Sequence, residues 1–187
     1  QALARGARNG GAQIFENTLV SSLLVENDKC VGVKTENGSI KANYVVNCAG
    51  MWGRQLGNDC GADVPLHAAE HYYLVTEPIA AMHENLPVVR DQDRYAYFKE
   101  ETGKLLLGFF EPNAAPWGME GIPGEFCFDD LPADWDRMLP YIELAMKRMP
   151  ILEETGIQLL FNGPESFTPD DRYLLGPVPN VSGLFVA

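Results

Sequence analysis

Few side chains in this sequence do acid–base, nucleophilic or metal chemistry near neutral pH: of 187 residues, three are histidine and four are cysteine. Cys30, Cys48, Cys60 and Cys127 stand far apart, with no C-x-x-C pair and no histidine at ligand spacing. They read as free thiols of a reducing compartment. His67 and His71 are four apart and on a helix would share a face, but Glu70-His71-Tyr72-Tyr73-Leu74-Val75-Thr76 is strand sequence. A strand puts both on one side without the geometry of a helical two-histidine site, so no metal is expected. His71 is then either a histidine satisfied inside a core or an acid–base group presented to a ligand. Arg94-Tyr95-Ala96-Tyr97-Phe98-Lys99 alternates aromatic and other residues, which puts Tyr95 and Tyr97 on one face, as packing aromatics or as a phenol offered to a site.

The other stretch with chemical potential is Val45 to Gly57. Val45-Val46 and the residues after them read as a strand covered on both faces, Gly50 permits a positive φ or a close approach, and a helix follows. In open α/β sheets ligands sit beyond the carboxyl ends of the strands, where a helix N-terminus offers unpaired N–H groups to anions. The alternative is an ordinary strand-to-helix turn.

Composition narrows the field. Fourteen basic against 26 acidic side chains give a formal charge of −12, which argues against nucleic acid and anionic membrane as partners, since both reward surplus Lys and Arg. No apolar run approaches the roughly 20 residues of a membrane span, and no signal segment opens the chain. Apolar residues make up 46%, enough for a core. The chain starts in mid-helix at Gln1 and stops inside an apolar strand at Ala187; a strand needs a partner, so a piece of a longer protein is expected.

These elements must position the candidate residues. A helix ending at Asn9-Gly10-Gly11 is followed by a short strand at Ala12–Phe15, then by strands over 18–25, 30–35 and 39–46. The Asn37-Gly38 hairpin signal makes these last three an antiparallel meander returning to Val45-Val46. Beyond Gly57 the strands over 71–76, 94–99 and 104–109 form a second antiparallel sheet. Residues 132–139 and 140–149 are two helical pieces, each opened by proline, with Trp135, Met138, Leu139, Ile142, Met146 and Met149 as core. Pro164 and Pro169 make 164–170 a loop, and apolar strands close the chain. The fold class is α/β (α+β), with a nucleotide-type domain left and re-entered: residues 1–57, a substrate domain over 58–163, and a return over 164–187.

Three segments carry a family resemblance over essentially the whole chain. Val45 to Gly57 resembles the Val-Val-Asn-x-Ala-Gly-x-Trp segment of flavin-dependent amine oxidoreductases with the D-amino-acid-oxidase fold. Glu70–Pro78 and Asn162–Asp170 are similar to the dimethylglycine and sarcosine dehydrogenase branch, and Arg90–Asp93 and Phe110–Asn113 fit it too. The family's opening G-x-G-x-x-G fingerprint and flavin-linking histidine are not in this sequence. FAD binding is accordingly expected only in the full-length protein, and the isolated piece is expected to be inactive.

The resemblance implies an FAD-dependent enzyme that demethylates N-methyl amino acids by hydride transfer to flavin. Electron-transfer flavoprotein or oxygen would be the acceptor, and tetrahydrofolate would enter through a further domain. It implies a cytoplasmic location in a bacterium and the mitochondrial matrix in a eukaryote. It places His71 and Tyr97 at catalytic positions on facing strands, and Val20, Ala49, Gly50 and Trp52 at the cofactor. For a substrate carboxylate, Arg90, Arg94 and Lys99 are the nearby cations. The same resemblance includes non-catalytic regulatory subunits of the pyruvate dehydrogenase phosphatase kind, in which the aromatic strands would bind protein instead.

Overall fold

Turn chemistry sets the first sheet. In the computed structural model, which describes residues 1–187, α1 (Ala2–Asn9) is followed by β1 (Val20–Glu26), β2 (Lys29–Thr35) and β3 (Gly38–Lys41), an antiparallel meander. Asn27 and Asp28 between β1 and β2 have φ of 49° and 59°, the left-handed pair that a two-residue hairpin of this twist requires and that these residue types tolerate. In the next turn Thr35 pairs with Gly38, and the Asn37 N–H donates to Thr35 Oγ1 at 3.2 Å. The strand expected at Ala12–Phe15 does not form. Those residues are exposed and join no sheet, so their backbone groups have no ladder to enter.

β4 (Val45–Asn47) leads through a 3-10 turn at Gly50–Trp52 into α2 (Gly53–Asn58). The expectation of a strand buried on both faces is corrected here: Val46 is 55% exposed, while Asn47 is buried. Leu23, Cys30, Ala62, Val178, Val181 and Leu184 make the core of this unit.

The second sheet is built on β5 (His67–Thr76). β6 (Val89–Asp91), β7 (Ala96–Glu101), β8 (Lys104–Phe109), β9 (Pro116–Trp117) and β10 (Ile157–Phe167) complete it in the order β10-β5-β8-β7-β6, with β9 also on β5. All its pairings are antiparallel. α3 (Trp135–Arg148) covers one face: Tyr72 and Leu74 of β5, Ala96 and Phe98 of β7, and Leu105, Leu107 and Phe109 of β8 are buried with Met138, Ile142 and Ala145 of α3. Each buried Leu, Ile, Met or Phe among them contributes about 1.5–3 kcal/mol by leaving water.

Two proline-based expectations fail for physical reasons. The two helical pieces are one helix, capped where Asp134 Oδ1 accepts from the Arg137 N–H at 3.0 Å. Pro140 sits on its exposed side, where the lost backbone bond leaves no buried orphan. Trp135 and Leu139, expected in the core, are 48% and 51% exposed. Pro164 likewise lies within β10 rather than in a loop, opposite Glu70. The Glu70 N–H is turned the other way, donating to Ala115 O at 2.8 Å, and β10 is an edge strand, so proline removes no ladder bond there.

The chain then returns through β11 (Gly176–Pro177) to β12 (Leu184–Val186), which runs parallel to β4. Two units result: Gln1–Pro65 with Asp170–Ala187, and Leu66–Pro169. Their breaks fall beyond Gly57 and Gly163, because Ala62 belongs to the first core and β10 stays in the second ladder as far as Phe167. No helix is long and apolar enough to cross a membrane.

Leu107 is fully buried in the central strand β8. Leu107→Ala is expected to destabilise the second unit by about 2–5 kcal/mol, read from the denaturation midpoint of that unit.

Candidate active site

The face of the second sheet away from α3 is set by strand alternation. Residues that neighbour one another across strands form a single row: Phe161 pairs with Tyr73, Tyr73 with Gly108, Gly108 with Tyr97 and Tyr97 with Arg90. Gly108 is the member without a side chain. A Cβ built there would lie 2.0 Å from Tyr97 Cε1, so the Tyr97 ring lies over the glycine and leans toward β5. Gly163 does the same for Phe161, whose ring stacks on Tyr73 at 4.7 Å.

His71 is two residues before Tyr73 and therefore shares its face. Its ring neighbours are Phe110, at 6.3 Å between centroids, and Phe167, at 6.1 Å. Phe110 in turn lies 5.5 Å from Tyr97. His71 and Tyr97 thus look onto one face, both half-buried, with Phe110 between them. They are not on adjacent strands, as their sequence positions imply; β8 runs between β5 and β7. Tyr95 is not with Tyr97 either. Its φ of 55° turns it off the strand, and its ring meets Tyr141 of α3 on the opposite face.

The three cations differ. Arg94 is held by Asp91 at 2.9 Å and Lys99 by Glu101 at 2.6 Å. The hydrogen bond to Glu101 is the main reason the Lys99 ammonium is pushed above its usual range. The Arg90 guanidinium lies 4.2 Å above the Phe110 ring, a cation–π contact that leaves its N–H edge free to meet an anion.

A carboxylate that sequence reasoning did not single out belongs here as well. Glu111 is 7% exposed and neither carboxyl oxygen has a hydrogen-bond partner. Burial pushes its carboxyl above the usual carboxylate range, an effect opposed first by its own nearby backbone N–H and then by the fields of His71 and Arg137, and reinforced by Glu70. Behind it, Glu70 Oε2 accepts from the Tyr72 hydroxyl at 2.7 Å and from Arg137 at 3.2 Å. Burial, then the Glu70 carboxylate, hold the Tyr72 phenol well above its ordinary value. A cleft of about 620 Å³ on this helix side is lined by Glu70, Pro132, Trp135 and Arg137, and contains neither His71 nor Tyr97.

In the first unit Asn47 organises the turn after β4. Its Oδ1 accepts from the Ala49 N–H at 3.1 Å, and its Nδ2 donates to Gly53 O at 2.9 Å. Gly50 has φ of 54° and nothing within 4 Å of where a Cβ would stand. The space beside Gly50 is therefore open, room that a planar group could enter. Val20 is at the start of β1, paired with Thr35. α2 packs against β1 but is only six residues long, too short to present a strong dipole.

A family model described as FAD dependent oxidoreductase matches residues 1–187. The chain belongs to that family. Sarcosine dehydrogenase of mouse mitochondria is 41% identical over 98% of this chain and 20% of its own length. The mouse mitochondrial pyruvate dehydrogenase phosphatase regulatory subunit is 39% identical over 99% of this chain and 21% of its own. The formaldehyde-forming 4-methylaminobutanoate oxidase of Paenarthrobacter nicotinovorans is 38% identical over the whole chain and 22% of its own. The chain thus spans about a fifth of the length of these relatives. Among solved structures, L-proline dehydrogenase from P. horikoshii superposes over 100% of this chain and 47% of its own, with a TM-score of 0.78 and 25% identity. Glycine oxidase from Geobacillus kaustophilus shares the fold at a TM-score of 0.67 and 23% identity, over 100% of this chain and 46% of its own. Mixed α/β architecture with antiparallel sheets is thus the flavoenzyme fold of this family.

Two outcomes follow from this geometry. Gly108→Ala is expected to cost about 1–3 kcal/mol of stability, because the new methyl overlaps the Tyr97 ring, and to cost little when Tyr97→Ala is made as well, as a double-mutant cycle would read. For Glu111, a folded-state value raised above the ordinary 4.5 means that the folded chain holds its proton more tightly than the unfolded one. Its contribution is then lost as pH rises above the ordinary value toward the folded one. The fall in melting temperature over that rise should be smaller in Glu111→Gln than in the parent.

Proposed function

We propose that this chain is part of an FAD-dependent oxidoreductase that oxidatively demethylates N-methyl amino acids of the sarcosine or dimethylglycine type. The observation that carries the reading is the second unit's open face, where an imidazole and a phenol flank Phe110 and the Arg90 guanidinium rests on that same ring. Such a face suits a small zwitterion. Arg90 takes the carboxylate, and His71 accepts the proton of the substrate ammonium so that the nitrogen lone pair is free. Tyr97 holds the nitrogen or the N-methyl group in place.

When bound, FAD supplies the two-electron chemistry: a C–H bond next to nitrogen breaks and its hydride leaves with both electrons. Water then adds to the resulting C=N carbon and the C–N bond breaks, giving formaldehyde and the demethylated amine. In the first unit Val20, Ala49, Gly50 and Trp52 are the cofactor-side contacts in this reading. Electron-transfer flavoprotein as acceptor, and tetrahydrofolate as acceptor of the one-carbon unit through a further domain, complete the reaction. The mitochondrial relatives support a mitochondrial location for a eukaryotic source.

A second reading rests on the similarity to the phosphatase regulatory subunit. In it the exposed aromatic face binds a protein and no amine is oxidised.

The test uses the full-length protein. A yellow protein bleached anaerobically by sarcosine or dimethylglycine supports the enzyme, and a flavin unaffected by either amine supports the regulatory reading. His71→Asn should retain the fold and flavin while slowing flavin reduction by about 10²–10⁴-fold, the range of general acid–base contributions, with most of the loss on the alkaline side, where a histidine is neutral. Arg90→Gln should weaken binding of carboxylate-bearing amines by about 10–100-fold, the worth of a charged hydrogen bond, and leave an amine without a carboxylate nearly unchanged.

A further inference from the structure

β8 pairs with β5 only as far as Tyr73–Gly108, and β9 takes up the pairing at Ala69–Pro116. Between these points the chain from Phe110 to Ala115 leaves the ladder, and its first residue is the ring at the centre of the open face. Phe110 lies 6.3 Å from the His71 ring and 5.5 Å from the Tyr97 ring, with the Arg90 guanidinium 4.2 Å above it. The backbone of the detour is held at both ends: the Phe110 N–H donates to Tyr95 O at 2.7 Å, and Ala115 O accepts from the Glu70 N–H at 2.8 Å. Its middle is held from α3, where Arg137 Nη2 donates to Asn113 O and Nη1 donates to Glu70 Oε2 at 3.2 Å. One planar guanidinium thus joins α3, β5 and the detour, a double contact that its rigid fork suits. The Arg137 and Glu70 side chains are 22% and 23% exposed, so solvent screens their bond weakly. Both are fixed in turn. The Arg137 N–H donates to the Asp134 cap at 3.0 Å, and Glu70 Oε2 also accepts from the Tyr72 hydroxyl at 2.7 Å. Asn162 of β10 donates to that hydroxyl at 2.9 Å and to Pro132 O at 3.0 Å. Glu70 and Tyr72 flank His71 in β5 and by strand alternation face the other way.

We propose that Arg137 is a positioning residue: from the covered side of the sheet it fixes where Phe110 stands on the open side, and so sets how tightly the amine binds. This rests on the demethylase reading of the open face. A detour anchored at its two ends alone keeps freedom in its middle, and a ligand that must order it loses affinity in doing so. The bond from Arg137 to Asn113 removes that freedom before the amine arrives. Because Phe110 separates the imidazole from the phenol and carries the Arg90 guanidinium, a shift of its ring disturbs three contacts at once. The Arg137 guanidinium itself is on the α3 side, so its effect on the amine passes through the detour. Its loss therefore weakens binding and leaves the rate at saturating amine nearly as it was.

Kinetics and crystallography of the full-length flavoprotein test this. In anaerobic flavin reduction by sarcosine or dimethylglycine, Arg137→Gln should raise the half-saturating amine concentration by about 10-fold, the lower range for a charged hydrogen bond. Flavin content and the saturating rate should stay close to those of the parent. Arg137→Lys, which reaches one acceptor at a time, should fall between the two, and it takes the place of Arg137→Gln if that variant does not fold. In a Phe110→Ala background the Arg137 change should add nothing further, as a double-mutant cycle reads. A crystal structure of the Arg137 variant should show the Phe110 ring moved off His71. An unmoved ring refutes the positioning, whether or not any amine is oxidised. So does an undiminished Arg137 effect in the Phe110→Ala background, or a lowered melting temperature with an unchanged half-saturating concentration, which marks a purely structural bond. A parent flavin that neither amine reduces refutes the demethylase reading; a displaced ring then still supports the hold of Arg137 on Phe110.

Discussion

The arrangement depends on the two-residue period of three antiparallel strands in register. Because β5, β8 and β7 pair at Tyr73, Gly108 and Tyr97, every second side chain enters the core under α3 and the others meet on the far face. One face therefore holds Tyr72, Leu107 and Phe98, and the other holds Tyr73, Gly108 and Tyr97. A slip of one residue in β7 would exchange Tyr97 for Phe98 and bury a phenol in an apolar core, a substitution that the Phe98–Leu107 packing disfavours. Stability of the core and presentation of the site are thus one constraint: the burial that fixes register also fixes which aromatic residue faces outward.

Within that frame glycine does what no larger residue can. The centre of the row, at Gly108, is filled by the neighbouring Tyr97 ring, and Gly163 lets Phe161 lie flat beside Tyr73. The open face becomes an aromatic floor whose gaps are closed from the side. Phe110, at the end of β8, extends the floor to His71 and carries Arg90. A cation, a titratable ring and a phenol are thereby gathered around one apolar surface in a chain with an excess of acidic side chains.

Much of this was legible in the sequence, because alternation and turn chemistry are local. The strands around His71, Tyr97 and Leu105–Phe109 and the Asn37-Gly38 hairpin follow from patterns a few residues long. The glycine inside Leu105-Leu106-Leu107-Gly108-Phe109 is itself a signal of close approach within a strand. What escaped depends on partners distant in sequence. The order of the strands placed β8 between His71 and Tyr97, and no local pattern encodes that. Pro164 is harmless only because β10 is an edge strand and Glu70 bonds to Ala115 instead; Pro140 is harmless only because its side of α3 faces solvent. Tyr95 left its expected face through a single left-handed residue. Glu111 looks from sequence like a surface acid at a strand end, and only the packing around it shows a buried carboxyl.

That carboxyl lies where the ladder is interrupted, and the interruption explains why it can be there. A regular β8–β9 strand would occupy β5 along its whole length and send residue 111 into the same apolar layer as Phe109, where a lone acid would be expelled or replaced. The detour instead satisfies the Glu70 amide with the Ala115 carbonyl and places the Asn113 carbonyl on Arg137. The polar backbone that the detour exposes is used by the Glu70–Arg137–Tyr72 cluster behind the sheet. Glu111 is the buried residue of that detour, next in the chain to the Phe110 whose ring packs on His71. Glu70 and Arg137 already have their partners. A break in strand pairing, usually a loss of stability, here makes room for one buried acid beside a polar cluster that is already satisfied.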